Sequence, residues 1–191
     1  AWIYPILFLH MLSLNHTRKV YLIIGSIYAI GFVFQFEKVI GMDIKICIVV
    51  AFWVAFLKIL PYIYWSKSKM RFQDTVIFAS IMVSIEYIMY LVYPILGGLS
   101  DAYTQYQNLY LLQIVTVTGI YGITFLMYWT AAMVIWIWNN KSKKEYIRKY
   151  IIVYGSVIGL VFVYGVVMFH FVGNSDKSVR IAGVTVPISE L

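Results

Sequence analysis

Residues Ala102 to Asn140 read AYTQYQNLYLLQIVTVTGIYGITFLMYWTAAMVIWIWNN, 39 residues without a single Asp, Glu, Lys or Arg. A continuous α-helix of that length would be roughly 60 Å long, about twice the hydrocarbon core of a bilayer. The stretch therefore divides. Its polar opening, Tyr103-Thr104-Gln105-Tyr106-Gln107-Asn108, reads as a loop at a membrane face, and the apolar remainder reads as a span beginning near Tyr110.

The rest of the chain has the same character. Of its 191 residues 62% are hydrophobic and only 12% charged, with a mean hydropathy of +0.83. Soluble domains are about 45–50% apolar and about 25% charged, so a water-soluble fold is excluded. The apolar runs are continuous, without the alternation of a membrane barrel strand, and this predicts an all-α, polytopic bundle of about six transmembrane helices. The expected spans are Trp2 to Leu14 (short), Val20 to Phe36, Ile44 to Trp65, Thr75 to Leu96, Tyr110 to Trp138 and Tyr150 to Val172. No basic region and small-residue cleavage site mark a signal peptide.

The net charge of +7 is not spread as a nucleic-acid surface would be. Ten of the 15 basic residues fall in three short loops: Arg18 and Lys19; Lys67, Lys69 and Arg71; Lys141, Lys143, Lys144, Arg148 and Lys149. These loops alternate along the chain, so they share one membrane face, and the positive-inside rule makes that face cytoplasmic. Trp65, Trp136, Trp138, Tyr62 and Tyr64 lie beside them as an aromatic belt. Both ends of the segment, Glu37-Lys38, Asp43 and the Gly97-to-Asn108 loop with Asp101 are then expected on the outer face.

Glu86 is the one acidic residue well inside an expected span. A carboxylate there faces a bundle interior or a wet cavity. It is either satisfied by neighbouring tyrosine hydroxyls or part of a site near the outer leaflet. Asn108 suits an N-cap, which explains one residue of the 103–108 cluster and leaves the others as candidates to line a pocket. Gly119, Gly122 and the GxxxG pair Gly155 and Gly159 suggest close helix packing. The lone Cys47 excludes an internal disulfide and, without a thiolate-stabilising neighbour, reads as a core residue. His170 has no metal-ligand partner at helical spacing, and no metal or other cofactor is expected. Asn15-His16-Thr17 fits a glycosylation pattern but falls in a loop expected to be cytoplasmic. No phosphate-binding loop, dinucleotide turn, HExxH motif or nucleophile–base pair is present.

Composition changes once, after Val172. The tail GNSDKSVRIAGVTVPISEL opens on turn-forming residues and continues with Val179, Ile181, Val184 and Val186, a short strand pattern. The expected division is 1–172 as a transmembrane helical domain and 173–191 as a linker and the start of a following outer-face α/β domain. The chain is expected to be an excerpt of a longer protein.

Several of these residues together resemble a known family. Glu86-Tyr87-Ile88, Tyr103-Thr104-Gln105-Tyr106-Gln107-Asn108, Leu112-Gln113-Ile114, Thr118-Gly119-Ile120-Tyr121-Gly122 and Phe125 are similar to the membrane portion of apolipoprotein N-acyltransferases. That family has Glu-Trp-Leu-Arg in a helix, then Gly-Tyr-Ser-Gln, then Leu-Thr-Gly-Val-x-Gly-x-x-Phe. Val179-Arg180-Ile181-Ala182-Gly183-Val184 is similar to the first strand of the nitrilase-like domain that follows those helices. The resemblance implies a bacterial-type inner-membrane enzyme of lipoprotein biosynthesis. It moves an acyl chain from a membrane phospholipid to the N-terminal cysteine of a lipoprotein acceptor, with no cofactor and no nucleic-acid partner. Its Glu-Lys-Cys triad lies in the nitrilase-like domain, outside these residues, so Cys47 is not the nucleophile and no catalytic residue is expected here. Glu86, Tyr103, Gln105, Tyr106 and Asn108 are the expected substrate-binding residues, shaping a lipid-accessible mouth. Met89 stands where the family has Arg, Tyr87 where it has Trp and Ala102 where it has Gly, and its Phe-Pro-Trp group is not recognisable. Alternatives from these departures are a membrane-anchored nitrilase-like amidase or a non-enzymatic scaffold or transporter.

Overall fold

Apolar segments with no polar face are stable as helices only where lipid or other helices surround them. The computed structural model, which describes residues 1–15, 17–35, 43–94, 100–142 and 144–172, is helical throughout that part of the chain. In order come α1 (Ile3–Leu14), α2 (Arg18–Gln35), α3 (Ile44–Lys67) and α4 (Phe72–Val92). A 3-10 turn (Asp101–Gln105), two single turns, α5 (Leu109–Leu112) and α6 (Val115–Thr118), and the long helices α7 (Ile120–Asn139) and α8 (Lys144–Val172) follow.

Four of these, α3, α4, α7 and α8, are long and apolar enough to cross a membrane. About six spans are expected, and among the described residues four helices meet both conditions. α1 has only 12 residues, and α2, with 18, opens on Arg18 and Lys19. α4 starts three residues before the expected Thr75, because Asp74 accepts from the Arg71 backbone N–H at 2.8 Å and closes its first turn. Asp43 caps α3 in the same way, accepting from the Lys45 N–H at 2.8 Å. The expected strand over 179–186 and the start of a second domain lie outside the described residues.

The largest departure falls in the opening stretch. The span expected over Tyr110 to Trp138 is broken at Gly119, whose φ of 64° and ψ of −172° are open essentially to glycine alone. α6 ends there and α7 begins. An L-residue at this position would be strained, so Gly119→Ala is expected to destabilise the chain by ~1–3 kcal/mol. Thermal unfolding in detergent measures it, and an unchanged midpoint would mean that the break does not need this conformation.

α7 is the central helix and α8 the peripheral one. Tyr128, Trp136 and Met127 of α7 are fully buried against α4 and α1. The indole of Trp129 donates to Thr75 Oγ1 at 3.1 Å, which fixes the register of α7 on α4. Outward-facing Phe52, Phe56 and Leu160 are all more than 60% exposed, an apolar perimeter suited to lipid. Gly155 and Gly159 do not make the close contact their spacing suggested, since a methyl group at either would meet open space.

Candidate functional site

The polar residues inside this apolar bundle collect around one point, the return of the chain after α4. Ser100 reaches Glu86, two turns below the end of α4, and Ala102 beside it is buried, while Tyr103 and Thr104 stay exposed. Ser100 Oγ donates to Glu86 Oε2 at 3.0 Å, and Thr124 Oγ1 of α7 donates to the same oxygen at 3.1 Å. The other oxygen, Oε1, accepts from Lys58 Nζ of α3 at 2.6 Å. Lys58 is 3% exposed and Glu86 8%, so both charges are out of solvent and depend on each other. The partners of Glu86 are thus an ammonium and two aliphatic hydroxyls, not the tyrosines that one of its two sequence readings offered.

A second carboxylate lies one residue along the turn. Asp101 Oδ2 accepts from the phenols of Tyr4 in α1 and Tyr128 in α7, each at 2.5 Å. Among the described residues Asp101 has no ion-pair partner within 4.0 Å, and the two phenols are its side-chain donors. The turn thereby ties α1, α3, α4 and α7 together.

Two cavities flank it. One, of about 220 Å³, lies between α1 and α2 and reaches Lys58 and Asp101 past Tyr4, Phe8, Tyr28 and Phe32. The other, of about 200 Å³, lies between α7 and α8. Gln105, Asn108 and Trp2 stand on its wall, with Leu126, Val161 and Phe162 as apolar lining. Further along, Thr130 and Tyr154 bridge α7 to α8 through their hydroxyls at 2.7 Å.

The five residues singled out from sequence are not gathered into one site. Gln105 and Asn108 line the α7–α8 cavity. Asn108 also caps α5, its side chain accepting from the Leu111 N–H at 3.2 Å. Glu86 belongs to the buried ion pair. Tyr103 and Tyr106 are 50% and 66% exposed, and the Tyr106 hydroxyl takes a hydrogen bond from Gln107 at 2.8 Å. Lys58 and the Asp101–Tyr4–Tyr128 group lie outside those five residues. The available signal was that Lys58 and Glu86, of opposite sign, each interrupt an apolar run in mid-helix. Among the described residues no three His, Cys, Asp or Glu side chains come together to hold a metal. Cys47 is buried in the core, and the His170 ring packs against Tyr110 and Phe169.

The arrangement ties the turn to the surrounding helices through the carboxylates of Glu86 and Asp101. Compared with known sequences, residues 1–133 match the family described as the apolipoprotein N-acyltransferase N-terminal domain. The chain belongs to that family. No curated protein and no solved structure matches it. The match to the apolipoprotein N-acyltransferase N-terminal domain runs from α1 into α7. It therefore includes Lys58, Glu86, Asp101, Gln105 and Asn108, but not the α8 wall of the second cavity.

Proposed function

We propose that this chain is the membrane region of an enzyme that transfers an acyl chain from phospholipid to the N-terminal cysteine of lipoproteins. It anchors an outer-face nitrilase-like catalytic domain in a bacterial-type inner membrane. The observation that carries this reading is the α7–α8 cavity in a chain of this family. Its wall combines the amides of Gln105 and Asn108 with Leu126, Val161 and Phe162. That polarity suits a lipid whose ester region meets the amides while an acyl chain lies along the apolar wall. The Lys58–Glu86 pair and the Asp101 phenol pair support the turn that carries Gln105 and Asn108. They are positioning groups. Tyr103 and Tyr106, exposed beside the turn, are placed to meet the lipid interface or the catalytic domain.

The full-length gene product is expected to restore N-acylation of lipoproteins in a strain depleted of its own acyltransferase, read by mass spectrometry of the N-terminal lipopeptide. Gln105→Ala is expected to lower that activity roughly three- to tenfold, the loss of one hydrogen bond, at unchanged protein level. Absence of any N-acylation by the unaltered protein would overturn the acyl-transfer reading. Full activity of Gln105→Ala would remove this side chain from the site.

A further inference from the structure

The end of the bundle opposite the re-entrant turn carries a larger cavity, of about 790 Å³, between the α3–α4 loop and the start of α8. Lys69, Arg71 and Lys144 line it, with Glu145 the single acid and Asn140 and Tyr146 as polar neighbours. The cations are exposed, and none of the three makes an ion pair among the described residues.

The cavity is built by buried contacts. Trp136 is fully buried, and its indole donates to the Met70 carbonyl at 3.0 Å. Its own carbonyl accepts from the Asn140 side chain at 2.9 Å. One residue of α7 thus holds the Met70 turn by its side chain and the Asn140 side chain by its carbonyl. Met70 sits at a φ of 53°, uncommon for a non-glycine residue, and this turn brings Lys69 and Arg71 to the same cavity from either side of it.

Its depth identifies the occupant. Phe72, Trp136, Tyr146 and Tyr150 pack ring to ring beside the cavity, and Lys141 lies over the Trp138 ring at 3.5 Å. Such a band of aromatics marks the headgroup level of a bilayer. Beyond it Ile77 of α4 and Ile151 and Ile152 of α8 are exposed apolar surface for acyl chains. Basic pockets between helices at this level hold anionic headgroups.

We infer that this cavity is a binding site for the phosphate headgroup of an anionic phospholipid in the leaflet facing the basic loops. Three unpaired cations against one acid select a lipid with net negative charge over a zwitterionic one. The inference is independent of the acyl-transfer reading, since it involves none of the same residues.

Native mass spectrometry of the full chain, released from neutral detergent with added lipid, tests it. Phosphatidylglycerol is expected to be retained at least tenfold more tightly than phosphatidylcholine. Lys69→Gln/Arg71→Gln/Lys144→Gln is expected to abolish the difference, and Lys144→Gln alone, at an exposed position, to reduce it. Arg18→Gln/Lys19→Gln, outside the cavity, is expected to leave it unchanged. Equal retention of phosphatidylglycerol by the triple variant and the unaltered chain would overturn the site. So would displacement of the lipid by inorganic phosphate at equal concentration, which would make the occupant a soluble anion.

Discussion

Replacing Lys58 by Met is expected to destabilise the chain by ~3–5 kcal/mol, the cost of leaving a buried charge without its partner. Lys58 and Glu86 approach to 2.6 Å with side chains 4% and 7% exposed, so the ammonium is the carboxylate's charged partner at a position with little solvent contact. Glu86 keeps the Ser100 and Thr124 hydroxyls, but both donate to Oε2, and Oε1 loses its donor. The carboxylate then sits in low dielectric with neutral company only. A drop in unfolding midpoint on the order of 10 °C in detergent corresponds to such a loss for a chain of this size.

Lys58→Met/Glu86→Gln is the informative companion. The amide of Gln still accepts from Ser100 or Thr124 and carries no charge, so much of the stability is expected to return. Recovery in the double variant would show that the loss came from the stranded charge, not from the shape of the lysine. If Lys58→Met alone shifts the midpoint by less than about 1 kcal/mol in free energy, the pair is not the anchor of the turn. A second readout follows from the geometry. Ser100 hangs from Glu86, so loosening the pair should expose the 100–108 segment to protease before the long helices open.

How far these features were legible in the sequence depends on the kind of signal each leaves. Span α3 and most of α4 were legible from length and apolarity alone, because lipid imposes both on any crossing helix. The break before α7 was not, since an apolar run has no periodicity to interrupt and Gly119 looks like any small residue in a membrane helix. Asn108 as a cap was readable because capping is local, three residues from donor to acceptor. The Lys58–Glu86 contact joins residues 28 apart and the Tyr4–Asp101 contact residues 97 apart, and neither distance is encoded in a local pattern. The cavity beside Gln105 and Asn108 has the same origin. Its polar half lies on the turn, but α8 supplies the opposite wall.

Gly165→Ala is expected to destabilise the docking of α8, while the same change at Gly155 or Gly159 is expected to be neutral or stabilising. The sign differs because the surroundings differ. A Cβ on Gly165 would lie 2.0 Å from the Tyr110 carbonyl oxygen and 2.8 Å from its carbon, both backbone atoms of α5 that cannot swing aside. Around that contact Thr116 and Tyr164 share a hydroxyl bond at 2.8 Å, and the Tyr110 ring meets Phe169 at 5.3 Å. Relief requires α5 to move away from α8, an overpacking cost of ~1–3 kcal/mol, and a Leu at the same place should separate them fully. Gly155 and Gly159 face open space, where Ala gains up to about 1 kcal/mol of helix propensity over Gly. Unfolding midpoints of the three single variants in one detergent decide between these outcomes. Small residues favour close helix contact only where a partner backbone is present, and here that partner is the irregular stretch ahead of Gly119. Three shifts of the same sign would mean that α8 does not rest on α5. The α7–α8 cavity would then lack the wall that Val161 and Phe162 give it, and the lipid site proposed there would lose its apolar half.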